Sequence, residues 1–216
     1  MYSDQVIAEN QKVDAVLLDL MAARGRAVGY ITSGPEPDRR FFREKEAYYD
    51  RLGLSLTVFF DTQRRPQEAE LNLLFDCDAI HLPGGDTRAF LKQLRDCDLL
   101  AHLADWAKRG GLLIGASAGA IMMTPTVALD AVFTDEDPLA VNSGRSLGLV
   151  PFEFFPHLNK SSYYLPKLLS YSERSQNRIA ACRDGDGLVI NDGQVCCVGD
   201  IVWIENGAVV EALAVV

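Results

Sequence analysis

Apolar residues recur along the first two thirds of the chain in two alternating rhythms. Val13, Val16, Leu17, Leu20 and Met21 fall at the three-and-four spacing of one helix face, and Gly25 is placed to end that helix. Ala27 to Ile31 then reads as a short apolar strand running into the loop Thr32-Ser33-Gly34-Pro35. A helix is predicted over Phe41 to Leu52, stopped near Gly53, and a strand rich in β-branched and aromatic residues over Leu54 to Phe60. Glu68 to Phe75 predicts another short helix, and Ala79 to Leu82 a buried strand ending at Pro83-Gly84-Gly85. Leu99 to Arg109 is amphipathic, with Leu100, Leu103, Ala104 and Ala107 on one side; Gly110-Gly111 breaks it, and Leu112 to Ala116 follows as a strand.

Strand and helix alternating at this spacing imply right-handed crossovers and a parallel sheet covered on both faces. The last third changes character. Leu188 to Ile190, Val195 to Val198, Ile201 to Ile204 and Ala208 to Val210 are short strands separated by Asn191-Asp192-Gly193 and Glu205-Asn206-Gly207, and both turns favour tight hairpins. An antiparallel meander is therefore expected to finish the chain, after a helix within Ser161 to Ser175. The expected fold class is α/β, a mostly parallel sheet flanked by helices. With no repeat or linker, and 216 residues, residues 1–216 are expected to form one domain.

Charge and composition narrow the chemistry. A formal net charge of −9 argues against nucleic acid as a partner, because phosphate binding depends on clustered Lys and Arg. No apolar run approaches the roughly 20 residues of a membrane-spanning helix, and Met1 to Asn10 do not resemble a signal peptide, so a cytoplasmic home is expected with no membrane partner. Cys77, Cys97, Cys182, Cys196 and Cys197 include no C-x-x-C pair and are expected to be small buried hydrophobes rather than disulfides or metal ligands. No metal or organic cofactor is implied. The C-terminal strands offer an edge through which a homodimer is a possible assembly.

The most informative segment is Gly115-Ala116-Ser117-Ala118-Gly119, a G-x-S-x-G between a buried strand and a helix start. Such a turn raises the serine hydroxyl above the sheet edge, beside the free N–H groups of the following helix. A second glycine turn, Pro83-Gly84-Gly85-Asp86-Thr87, follows another buried strand, and loops at the carboxyl ends of parallel strands line one crevice. Gly84 or Gly85, with Ala118, are candidates for an oxyanion hole. Of three histidines, His102 reads as structural or exposed and His81 as a core residue. His157, closing Phe152 to Pro156 at the end of an apolar segment, is placed to be a general base. A triad also needs a carboxylate to orient the imidazole, and Asp184, Asp186 and Asp192 follow; Asp192 is better explained by its hairpin, leaving Asp184 first and Asp186 second.

With these motifs in view, the chain resembles the peptidase E family of serine peptidases, which includes α-aspartyl dipeptidase and cyanophycinase and has a class I glutamine amidotransferase-like fold of three layers, similar to flavodoxin. The resemblance rests on Leu82 to Thr87, Gly115 to Gly119, Phe155-Pro156-His157 and Asp184 to Ile190. It implies Ser117 as nucleophile, His157 as base, Asp184 as the acid that is usually glutamate, and Gly85 with Ala118 as oxyanion donors. It further implies a small peptide or amide substrate. The family's first strand is missing or much reduced ahead of Val6. Its basic residue after the histidine is matched here only by Lys160, which joins Asp86 and Thr87 as a candidate substrate contact; Arg88, Arg145 and Arg174 are further candidates for a substrate carboxylate. A glutamine amidotransferase would carry cysteine at the elbow, where this chain has Ser117. The remaining alternative is a non-catalytic ligand-binding member of the same fold, which a large Ser117–His157 separation would favour.

Overall fold

The computed structural model describes residues 1–141 and 144–211. Its centre is a four-stranded, all-parallel sheet in the order β2-β1-β3-β4, built from β1 (Ala27–Ile31), β2 (Ser55–Phe60), β3 (Ala79–Leu82) and β4 (Leu112–Gly115). Alternate side chains leave its two faces. Val28 and Tyr30 pack with Val13, Leu17 and Met21 of α1 (Gln11–Ala22) and with Phe42, Tyr48 and Tyr49 of α2 (Arg40–Arg51). Ile80 and Leu82 pack on the other face against α3 (Glu68–Phe75), α4 (Thr87–Asp96) and α5 (Leu99–Lys108) through Leu74, Phe90, Leu91 and Leu103. The three-layer arrangement expected from the apolar rhythm is present.

Beyond the elbow helix α6 (Ala118–Ile121), β5 (Phe152–Phe155) pairs in parallel with β6 (Arg178–Ala181), and α7 (Tyr164–Ser172) connects them. The C-terminal strands are antiparallel, as expected, but divided between two ribbons. β7 (Gly187–Asn191) and β8 (Gln194–Val198) form a separate hairpin, whereas β9 (Val202–Glu205) and β10 (Ala208–Val210) extend β6 into the order β10-β9-β6-β5. No helix is long and apolar enough to cross a membrane among the described residues.

Two elements escaped the sequence reading. The helix α4 carries a regular apolar set, Phe90, Leu91 and Leu94, but no element was assigned between the glycine turn and Leu99. The strand β6 is Arg-Ile-Ala-Ala, poor in strand formers, and exists because β5 and β9 pair with it on both sides. The cysteines also divide. Cys77, Cys97 and Cys182 are buried, but Cys196 and Cys197 are exposed, because β8 is the outer strand of a two-stranded ribbon with little to cover it.

Tyr2 bridges Ala116 in parallel and Gly187 in antiparallel fashion, so a single residue joins the free edge of β4 to β7. Its N–H donates to Gly115 O at 2.7 Å and its carbonyl accepts from Ser117 N–H at 3.1 Å.

Candidate active site

Each functional side chain sits where one strand hands over to a loop. Ser117 stands between β4 and α6 with φ 50° and ψ −113°, a conformation costly for a residue with a Cβ and one that a nucleophile elbow requires. The turn closes because its neighbours are small. A Cβ on Gly119 would lie 1.9 Å from Leu82 O, and one on Gly84 would lie 3.4 Å from Ser117 Cβ. Ser33 Oγ, from the loop after β1, donates to Gly84 O at 2.6 Å and ties that loop to the second glycine turn. Ala118 opens α6 and is buried; the first residues of a helix lack intrahelical acceptors for their N–H groups.

His157 follows β5 in the left-handed region, φ 60° and ψ 28°, at the start of a short 3-10 turn. Ser117 Oγ lies 2.9 Å from His157 Nε2, and His157 Nδ1 lies 2.6 Å from Asp184 Oδ1. An ionised carboxylate only accepts, so Nδ1 carries the imidazole proton and donates it to Asp184; Nε2 is left to accept from the serine hydroxyl. His157 and Asp184 side chains are only 16% and 14% exposed, which excludes most water from the pair. Phe133 meets the histidine ring edge-on at 6.3 Å and stacks on Phe155 at 4.7 Å, forming an aromatic wall on one side.

The other candidates separate clearly. Asp186, the second choice of acid, folds back on its own turn: its carboxylate accepts from Arg183 N at 3.3 Å and from Asp200 N at 3.4 Å. Asp86 caps α4, accepting from Ala89 N at 2.9 Å, and Thr87 is buried as the first residue of that helix. Lys160 faces two carboxylates, Asp4 Oδ2 at 3.2 Å and Asp184 Oδ2 at 3.3 Å. Partial burial pulls its ammonium down, but Asp184 and Asp4 outweigh that and hold it above the ordinary lysine value. Arg88 pairs with Asp130 and Glu136, and Arg174 with Asp137, while the Arg145 backbone bridges Thr126 and its carbonyl accepts from Arg95.

His81 is a core histidine, as expected. Its Nδ1 lies 3.0 Å from Tyr49 Oη, its ring stacks on Tyr30 at 5.6 Å, and burial first, with Lys45 second, pushes its pKa well below the ordinary value. His102 is exposed. An apolar cavity of about 310 Å³ lies elsewhere, between Leu112 to Ile114 and Leu188 to Ile190 beside Met1, away from Ser117.

Sequence reasoning missed Ser3 and Asn159. His157 N–H donates to Ser3 Oγ at 2.8 Å, and Asp184 N–H donates to Asn159 Oδ1 at 2.8 Å. Ser3 is remote in sequence from every motif, and nothing local marks it.

A serine, a histidine and an aspartate thus stand in hydrogen-bonded series on a strand-to-helix turn at the carboxyl end of a parallel sheet in an α/β fold. A family model described as Peptidase family S51 matches residues 3–198, and the chain belongs to that family. Peptidase E of Salmonella arizonae is 38% identical over 93 residues, which are 43% of this chain and 39% of that protein. Peptidase E of Escherichia coli O1:K1 is 36% identical over 87 residues, 40% of this chain and 36% of that protein. The matched stretches thus span well under half the length of these curated relatives. Among solved structures, a putative peptidase E protein from Listeria monocytogenes EGD-e superposes with a TM-score of 0.68 at 20% identity, covering 86% of this chain and 92% of that one. A peptidase from an acI-B1 Actinobacterium gives 0.63 at 16% identity, covering 98% and 95%. These two likenesses concern the fold.

Proposed function

We propose that the chain is a serine peptidase that cleaves small peptides or amides through an acyl-enzyme on Ser117. The observation that carries the reading is the unbroken series Ser117 Oγ, His157 Nε2 at 2.9 Å, His157 Nδ1, Asp184 Oδ1 at 2.6 Å. His157 takes the hydroxyl proton as Oγ attacks the carbonyl carbon, and Asp184 holds the ring in the required tautomer and stabilises the imidazolium. Main-chain N–H groups of Ala118 and of Gly84 or Gly85 receive the charge that forms on the carbonyl oxygen. His157 then gives its proton to the leaving amine, and water repeats the cycle on the ester. The short Ser117–His157 distance speaks against a ligand-binding member without catalysis.

The free state of all five cysteines fits a reducing compartment, and we assign the enzyme to the cytoplasm. A homodimer joined along a free strand edge completes the reading; on β10, Val209 is 57% exposed. A monomer mass in solution at micromolar protein would remove that part alone. The activity itself is tested with a dipeptide and peptide-amide library varied at its first residue. Turnover of at least one member, lost in Ser117→Ala, is expected; no turnover of any member, with folded protein confirmed, overturns the reading.

A further inference from the structure

We propose that the segment Ser3–Asp4, together with Lys160, is a positioning element of the catalytic array, in which Ser3 locks the histidine to its acid and the Asp4–Lys160 pair sets the charge the imidazole feels. The inference rests on the triad reading above and deepens it.

Three loops that are far apart in sequence must meet within a few tenths of an ångström for the triad to work. Residues 1 to 3 touch two of them through the main chain and the third, the loop bearing His157, through the Ser3 hydroxyl. Tyr2 holds the elbow through Gly115 O and Ser117 N–H. Ser3 N–H donates to Asp186 O at 3.2 Å and Leu188 N–H donates to Met1 O at 2.9 Å, which fixes the turn bearing Asp184. Ser3 Oγ then accepts the His157 N–H at 2.8 Å and directs its single proton at Asp184 Oδ1, 3.1 Å away, with Cys182 O at 3.3 Å as the other acceptor. Ser3 is fully buried, so this hydroxyl has no water to exchange with. One buried side chain therefore reads the position of the base and of the acid together. Asp184 Oδ1 has two donors, the imidazole and Ser3, and its rotation about the carboxylate axis is stopped by Lys160 on Oδ2 at 3.3 Å.

The charges have a sign that follows from counting them. His157 is faced by Asp184 from the β6–β7 loop, by Asp4 from the N-terminal segment and by Lys160 from the 3-10 turn that follows it; Ser117 and Phe133, on the elbow and the aromatic wall, bring no charge. Asp4, His157 and Asp184 present atoms within 4.8 Å of one another, and the Lys160 ammonium bridges the two carboxylates. With Lys160 in place two negative charges are balanced by one positive. Removing Lys160 leaves both carboxylates to favour the imidazolium, and removing the charge of Asp4 does the reverse.

Positioning by this segment therefore makes two separable predictions. In Ser3→Ala, the second-order rate of fluorophosphonate labelling at Ser117 should fall about ten- to hundredfold at every pH, the range expected for a lost hydrogen bond to a charged group. With a peptide substrate the loss should appear in kcat rather than KM, and Ser3→Thr, which keeps the hydroxyl, should recover part of it. In Lys160→Met the acid limb of the labelling-rate profile should move to higher pH, and in Asp4→Asn to lower pH, each by about half a pH unit, the size expected for one charge several ångströms away through solvent. Asp4 and Lys160 are solvent-facing, so both variants test the charge arm should Ser3→Ala fail to fold. A purely structural segment would give shifts of one sign or none. Wild type labelled at Ser117, with all variants labelled at the same rate and pH dependence, overturns the positioning role alone. Wild type taking no label at any pH overturns the hydrolase reading and this inference with it.

Discussion

Replacing Asp184 by asparagine tests the triad at the point where the structure makes the outcome sharpest. Asp184 Oδ1 accepts from His157 Nδ1 at 2.6 Å and from Ser3 Oγ at 3.1 Å, while Oδ2 faces the Lys160 ammonium at 3.3 Å. An amide has one acceptor oxygen, and an ammonium with only donors requires it. In Asp184→Asn the amide oxygen should therefore turn to Lys160 and the NH2 group to the imidazole. His157 Nδ1 must then accept, its proton moves to Nε2, and Nε2 faces Ser117 Oγ as a donor with nothing to take the hydroxyl proton. The expected loss in kcat/KM is about 10⁴-fold, the size reported for a wrong-tautomer triad, or about 5 kcal/mol of transition-state stabilisation. Were the amide to keep its oxygen on the histidine, only the charge would be lost, at about ten- to hundredfold. Steady-state hydrolysis of the best library substrate at neutral pH, with circular dichroism to confirm folding, distinguishes the two. Because Lys160 drives the amide rotation, the double variant with Lys160→Met should run about tenfold faster than Asp184→Asn alone, although Lys160→Met impairs the parent below neutral pH. Retention of more than a tenth of wild-type activity in Asp184→Asn would refute this reasoning.

Two further outcomes follow from packing and burial. Gly119→Ala places a Cβ on the Leu82 carbonyl, so the elbow must shift; destabilisation of about 3 kcal/mol, near 10 °C in Tm for a chain of this length, is expected by calorimetry. An unchanged Tm would contradict the close approach. Glu153 is buried on β5, where burial pushes its carboxyl above the ordinary value against the opposing hydrogen bonds of Tyr171 and Thr126. A raised folded value means its favourable contribution is complete below the unfolded glutamate value and is lost as pH rises through the folded value. Glu153→Gln should therefore gain stability relative to wild type as pH rises through that window, read by urea denaturation at several pH values; a difference independent of pH would contradict it.

How far the sequence carried the account differs by level. The three-layer core was legible because its apolar residues keep strict helical and strand spacings, as in Val13, Leu17 and Met21 or in Ala79 to Leu82. Ser117 was legible from the small residues that a sharp turn demands, and His157 from its place at the end of an apolar strand. Asp184 stood only narrowly ahead of Asp186, since both lie in the same turn; in the folded chain Asp186 is consumed by the N–H groups of Arg183 and Asp200. The sequence carried no sign of the two carboxylates that Lys160 faces, Asp4 and Asp184, because neither lies near it along the chain. Ser3 was invisible for a deeper reason: its role comes from a pairing of Tyr2 with two strands whose registers only the folded chain defines.

The claim on which the rest stands is that Ser117 is a nucleophile activated by His157. Intact-mass and peptide-mapping spectrometry after treatment with a fluorophosphonate measures it directly. The account predicts a single adduct, located on Ser117, that forms at least a hundredfold more slowly in His157→Gln. No adduct in the wild-type protein, or one that forms equally fast without the histidine, would contradict it.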